Sequence, residues 1–430
     1  MTAGLWALLG TVLVGAVLRL PLALVMFAGG ASYLFTTRQD IGLLVGQVMN
    51  QMSAMYVLVA IPMFILAANI MNAASISDRL WDAANVLVGR FRGGMGHVTV
   101  LASMIFSGIS GSAVTDAAGP GIVATRMMRE QGKYPAGLAC SITAASATIA
   151  PIIPPSIPLV IYALLSGASI GALFLAGLVP GILMGGAIMI AIWIIAVRRG
   201  LPVGERVALR EAPAIFKRAL LPLTLPVVLL GGIFSGIFSP TEAAAVAAFW
   251  ALILGVFVYR KIGPATAHAV FLESARQSAT TMLLIASAFI LNYAIANERL
   301  AESIVTTIAN MQLTQMQFML VVNVLFLVLG CFLDGAVMML VFVPLFVPSA
   351  RALGIDLTYF GIIVTLNFMI GLITPPYGLL LFVMASLTRV PLTEIIREIW
   401  PFVLTLTVLL ALLTYFPMIT LFLPRLFGYQ

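Results

Sequence analysis

Residues 134–197 read YPAGLACSITAASATIAPIIPPSIPLVIYALLSGASIGALFLAGLVPGILMGGAIMIAIWIIAV, and these 64 positions hold no Asp, Glu, Lys or Arg. As a single helix the stretch would extend roughly 96 Å against about 30 Å of bilayer hydrocarbon, so it crosses a membrane at least twice. Similar uncharged runs cover 303–333, 335–350 and 357–388. In lipid every backbone polar group needs an internal partner, which leaves helices or closed barrels. Continuous apolar runs lack the alternation a barrel strand requires. The fold class is therefore all-α integral membrane. With 62% hydrophobic residues, and only 22 basic and 15 acidic residues in 430, the chain has too little polar surface to cover a soluble globule.

Other features fit that class. The uncharged stretch 1–18 lacks the basic start of a signal peptide and continues past Arg19 and Pro21 into another apolar run, so it is taken as retained membrane structure. Cys140 and Cys331 fall in apolar segments with no disulfide or metal spacing. His97 and His268 lie far apart, without metal-ligand spacing, as exposed or structural side chains. The net charge of +7 comes from basic residues in short loops, as retention of Lys and Arg on the cytoplasmic side predicts, and gives no case for nucleic acid. The most polar interior stretch, 198–218, is the expected connection between two halves. A second basic loop surrounds Arg260 and Lys261, with Arg276 nearby.

The stretch Ile153-Pro154-Pro155-Ser156 has a counterpart in Thr374-Pro375-Pro376-Tyr377 at an offset of 221. The same offset pairs Ala150 with Gly371 and Pro180 with Pro401. It also lays 107–121 over 328–342, which contains Gly330, Asp334 and Gly335. Each half thus shows a small-residue break followed by a double-proline break. In the first half, Ser107, Gly108, Ser110, Gly111 and Ser112 make a poor continuous helix, and Gly119-Pro120-Gly121 follows. This composition predicts a re-entrant hairpin with an unwound tip, or alternatively close helix packing through small residues. Proline lacks the amide hydrogen and clashes with the preceding turn, so carbonyls near Ala150 to Pro155 and Gly371 to Tyr377 lose helical partners. Beside the Thr374 hydroxyl they form oxygen-rich candidate cation sites, or else simple kinks.

Asp116 and Asp334 are carboxylates in apolar surroundings, where charge is costly and marks a pathway or a polar partner. They attract a cation, bind a proton or orient a hairpin tip. Glu242, by contrast, has capping-box spacing in Ser239-Pro240-Thr241-Glu242. Asn292 and Asn367 suit hydrogen bonds between helices. No catalytic constellation emerges, because the Ser/Gly motif lacks a flanking strand and a positioned histidine. An intramembrane aspartyl protease pairing Asp116 with Asp334 is the enzyme alternative, and it leaves the repeated proline breaks unexplained.

Five segments together resemble the large membrane subunit of tripartite ATP-independent periplasmic (TRAP) transporters. They are FSGISGSAVTDAAGPG (106–121), IAPIIPPSIPLVIYA (149–163), FSPTEAAAVAAF (238–249), GCFLDG (330–335) and GLITPPYG (371–378). The resemblance implies a sodium-driven importer of an organic anion, a carboxylate such as a C4-dicarboxylate or sugar acid, in the bacterial inner membrane. It further implies two inverted repeats and an elevator mechanism. The implied partners are a small four-helix membrane subunit, a periplasmic substrate-binding protein and membrane lipid. No cofactor is implied beyond the coupling ion Na+. A self-sufficient symporter without a binding protein is the alternative. By motif, the first sodium site falls on Ser107, Ser110, Ala150, Ile153 and Pro155, and the second on Gly330, Gly371, Thr374 and Tyr377. The family often has glycine at Ala150 and a smaller or aliphatic residue at Tyr377, changes that backbone ligation tolerates. Ser112, Asp116, Ser156, Asp334 and Asn367 are implied to bind substrate or support the hairpins. The implied organisation is N-terminal scaffold and arm helices (1–90), a first transport repeat (91–197; hairpin about 95–126, broken helix about 135–165) and the linker 198–218. Scaffold helices (219–312), a second transport repeat (313–392; hairpin about 317–350, broken helix about 357–388) and a C-terminal helix (393–430) follow.

Overall fold

The computed structural model describes residues 2–18, 20–74, 76–130, 133–204, 210–333 and 335–429. The chain opens with α1 (Ala3–Val17), α2 (Leu22–Thr36), α3 (Gly42–Ala54), α4 (Ala60–Ala73) and α5 (Ile76–Val88). Next come α6 (Gly94–Ser110), α7 (Ala113–Ala118), α8 (Pro120–Glu130), α9 (Ala136–Ala147), α10 (Ile157–Ser166) and α11 (Ile170–Arg199). The middle consists of α12 (Ala212–Phe234), α13 (Pro240–Ile253), α14 (Pro264–Asn297) and α15 (Leu300–Asn310). It ends with α16 (Gln315–Gly330), α17 (Gly335–Ala352), α18 (Leu357–Gly371), α19 (Leu379–Thr388), α20 (Leu392–Tyr415) and α21 (Pro417–Leu426). Among the described residues, seven helices are long and apolar enough to cross a bilayer.

Local chemistry sets the boundaries. The Ser239 and Glu242 pair forms the expected capping box: the Glu242 N–H donates to Ser239 Oγ at 3.3 Å, and the Ser239 N–H donates to Glu242 Oε2 at 2.8 Å. Thr314 and Gln317 do the same for α16. Glycines in the left-handed region close α6 at Gly111, α10 at Gly167 and α11 at Gly200. Two sequence-based bounds differ from the structure, and proline explains both. The basic segment is shorter than 198–218, because Pro213 starts α12 and places Lys217 and Arg218 on a helix. The C-terminal segment is two helices, since Pro417 opens α21 after Phe416. Hairpin 1 also runs further, to Glu130.

The core is built around α9 and α18. From Gly137 to Ala147 and from Tyr359 to Gly371 every residue is buried, the pattern of a helix enclosed on all sides. Small side chains let neighbours come close: a Cβ at Gly137 would lie 2.7 Å from Glu394 O, and the Ser141 hydroxyl donates to Ile395 O at 3.0 Å. Thus α9 packs on α20, α18 on α16, and α4 on both α13 and α14. Adding 221 to the bounds of α6, α9 and α10 gives 315–331, 357–368 and 378–387, beside the observed 315–330, 357–371 and 379–388. The cis bonds Pro154–Pro155 and Pro375–Pro376 stand at the same offset.

Ser239→Ala removes one partner of the α13 capping box and is expected to lower stability by about 0.5–2 kcal/mol. Thermal unfolding in detergent checks this, with a melting temperature equal to that of the unaltered chain as the contrary result.

Candidate functional site

The first hairpin turns at two residues. Contrary to the expected unwinding of 107–112, the backbone stays helical through Ser110, because serine can return its hydroxyl to the preceding turn: Ser107 Oγ donates to Ser103 O at 2.5 Å. Gly111 then takes φ 60°, and Ser112 caps α7 by accepting the Thr115 N–H at 3.4 Å. A Cβ at Gly111 would sit 2.4 Å from Pro155 O, so glycine serves both the conformation and the contact. The tip therefore rests directly on the first double-proline break.

That break follows the end of α9 with tight turns, in which the Ala150 N–H donates to Ala147 O at 3.2 Å. Ser156 restarts the helix, accepting the Leu159 N–H at 3.2 Å and donating to Pro151 O. Among the described residues the carbonyls of Ala150, Ile153 and Pro155 accept no hydrogen bond. Ser110 Oγ is buried and has no partner among the described residues. Gly111 meets Pro155 O beside Ser110, and Ser107, Ala150 and Ile153 are buried on the two segments that form this joint.

The second joint is a contact of backbones. A Cβ at Gly371 would fall 2.8 Å from both Cα and O of Gly330, and the Tyr377 N–H donates to Cys331 O at 3.1 Å. Thr374 Oγ1 donates to Ile370 O at 2.7 Å, and its lone pairs remain. Gly330, Gly371, Thr374 and Tyr377 therefore meet, although Tyr377 is 46% exposed and packs its ring on Phe382. Asp334 lies outside the described residues.

Asp116 is 1% exposed, and among the described residues neither carboxylate oxygen has a hydrogen-bond partner; the Ser103 hydroxyl is its polar neighbour but falls short of bonding geometry. Asn367 Nδ2 donates to Asn323 Oδ1 at 2.8 Å, and Asn323 Nδ2 to Thr414 Oγ1 at 2.8 Å, a chain joining α18, α16 and α20. Asn367 thus braces hairpin 2. Its Oδ1 has no partner among the described residues.

Between the joints lies a cavity of about 620 Å³. Its walls include Ser110 to Thr115 from hairpin 1, Pro151 and Pro158 from the first break, Gly335 and Met339 from hairpin 2, and Phe368 and Leu372 from the second broken helix. A further wall is a polar face of α14, Glu273, Arg276, Gln277, Thr280 and Thr281, beside apolar Leu284 of the same helix and Ile65 and Ala68 of α4. The sequence placed Arg276 beside a basic loop, whereas the structure carries it well into a 34-residue helix. Polar residues at i, i+3, i+4, i+7 and i+8 of an apolar span were the available signal.

Among the described residues, seven long apolar helices, two broken helices and a shared cavity define a multi-spanning membrane transport fold. The chain belongs to the family described as tripartite ATP-independent periplasmic transporter, DctM component, which matches residues 8–419. It is the large permease component, a multi-pass protein of the bacterial inner membrane and not an enzyme, which removes the aspartyl protease alternative. It is 40% identical over 375 residues to the sialic acid TRAP transporter large permease protein SiaM of Vibrio cholerae, covering 87% of this chain and 88% of that one. It is 41% identical over 373 residues to the C4-dicarboxylate TRAP transporter large permease protein DctM of Pseudomonas aeruginosa, 87% of each. To the 2,3-diketo-L-gulonate TRAP transporter large permease protein YiaN of Escherichia coli it is 36% identical over 410 residues, 95% of this chain and 96% of that one. The YdaH transporter of Alcanivorax borkumensis shares the fold, with a TM-score of 0.61 at 17% identity over 96% of each chain.

Gly371→Ala forces a Cβ into the Gly330 backbone and is expected to cost about 1–3 kcal/mol while lowering uptake. The same change at Gly335, where a Cβ would be 3.4 Å from the Phe368 side chain, is expected to be milder. Paired melting curves check the order of the two, and equal losses would contradict it.

Proposed function

We propose that this permease is the membrane pathway of a sodium-driven importer that receives an organic carboxylate from a periplasmic binding protein and works with a small four-helix membrane subunit. The observation that carries this proposal is the pair of hairpin-to-break joints flanking one largely apolar cavity with a polar wall on α14. At the first joint, carbonyl oxygens with no donor and the unpartnered Ser110 hydroxyl supply the uncharged oxygen ligands that a sodium ion accepts. Gly330, Gly371, Thr374 and Tyr377 form the second site, with the Thr374 hydroxyl adding to backbone oxygens. Sodium at each joint draws a hairpin tip onto its broken helix and so completes the cavity for the anion. The names of the relatives, which span sialic acid, C4-dicarboxylates and a diketogulonate, support a carboxylate cargo. The matching offset of helix bounds supports two repeats. Movement of the hairpin-bearing unit past α4, α13 and α14 would carry the cavity across the membrane as an elevator.

Proteoliposomes holding all three components test the coupling: an inward sodium gradient is expected to drive uptake, and an equal rate after replacing sodium with potassium would sink it. Uptake by the permease without a binding protein would instead support the self-sufficient symporter. Ser110→Ala and Thr374→Ala are each expected to raise the sodium concentration for half-maximal uptake several-fold, about 1 kcal/mol per lost oxygen contact. Unaltered sodium dependence in either variant argues against that site.

A further inference from the structure

The α14 wall of the cavity carries two charges that the sodium sites do not use. Glu273, Arg276, Gln277, Thr280 and Thr281 share one helix face, and that face looks into the space between the two joints. Arg276 stands twelve residues into α14, roughly 18 Å along the helix axis. Side chains on this face differ in how they are held. Asn69 on α4 donates to Ser274 Oγ at 3.0 Å and to Gln277 Oε1 at 3.2 Å, and Gln277 Nε2 in turn donates to Glu273 Oε1 at 3.0 Å. Glu273 is therefore tied into the helix packing. Among the described residues the Arg276 guanidinium has neither a hydrogen bond nor an ion pair, although Glu273 lies one turn away.

An unpaired cation within a membrane-spanning helix, facing a largely apolar cavity, is costly unless something anionic visits it. Guanidinium presents a planar fork of donors that matches a carboxylate. Resting on the carboxylate-importer function proposed above, we infer that Arg276 is the counter-charge for one substrate carboxylate and that Glu273 disfavours a second. The rest of the lining supports the asymmetry. Ser110, Thr115, Thr280 and Thr281 offer hydroxyls, and Gln277 an amide, which suit a hydroxylated carbon chain. Arg276 is the one cation on this face and pairs with one carboxylate, and Glu273 leaves no counter-charge for a second. A dianion would set its second carboxylate against Glu273, a like-charge contact that works as a selectivity element.

The test uses the purified membrane complex of this chain with its small subunit, in sodium chloride, and measures binding of defined probes by isothermal calorimetry. The probes are gluconate and N-acetylneuraminate as hydroxylated monocarboxylates, sorbitol as the uncharged counterpart, and succinate as a dicarboxylate. At least one monocarboxylate is expected to bind, sorbitol not to bind, and succinate to bind more weakly. Arg276→Gln is expected to weaken the monocarboxylate at least about tenfold, with Arg276→Lys recovering part of the loss. Glu273→Gln is expected to strengthen succinate several-fold, a gain that misfolding does not produce. Monocarboxylate binding unchanged by Arg276→Gln, succinate bound as tightly as the monocarboxylate by the unaltered complex, or no binding of either monocarboxylate overturns the inference. If Arg276→Gln does not fold, equal binding of gluconate and sorbitol by the unaltered complex still overturns it. Sodium-driven uptake that persists alongside any of those results leaves the importer function standing, whereas sodium-independent uptake removes that function first.

Discussion

A carbonyl that leaves its helix inside a bilayer has to be received by protein, by water or by an ion, because hydrocarbon offers it no donor. Everything distinctive in this chain is arranged around that requirement. The double-proline breaks release carbonyls at bilayer depth, and the hairpin tips are brought against them by Gly111 on one side and by Gly330 with Gly371 on the other. The helices α9, buried from Gly137 to Ala147, and α18, buried from Tyr359 to Gly371, lead into the breaks from inside the protein. Packing and chemistry therefore share the same residues. A larger side chain at Gly111 would displace the oxygen-bearing loop as well as disturb the fold.

Much of this was legible in the sequence because proline and glycine act locally. The Pro154-Pro155 and Pro375-Pro376 pairs marked both breaks, and the uncharged runs 335–350 and 357–388 coincide within two residues with α17 and with α18 and α19 together. The Ser239 to Glu242 spacing announced a capping box, and the structure contains it. Serine was harder to interpret. In a soluble helix a Ser/Gly-rich run argues for unwinding, but Ser107 returns its hydroxyl to Ser103 O, and the helix persists to the last possible residue before Gly111.

The α14 face was missed for a different reason. Its polar residues are diluted along a helix of 34 residues, and nothing local shows which side of that helix meets a cavity. Only the long-range packing of α4 and α14, with hairpin tips arriving from two distant parts of the chain, turns Glu273 to Thr281 into a wall. Asn367 shows the same limit from the other side. Its type suggested an interhelical hydrogen bond, but the partner Asn323 and the onward link to Thr414 depend on three helices meeting.

The contact of Gly330 with Gly371 has a mechanical side. Where two backbones touch with no side chain between them, nothing at the joint can change rotamer to absorb displacement. The arms α16 and α18 then behave as rods pinned at a bearing, and a small rotation there is lengthened along about 24 Å of helix before it reaches the far end of α16. Leverage of this kind turns a shift of an ångström at the joint into a larger one at the far end of the helix.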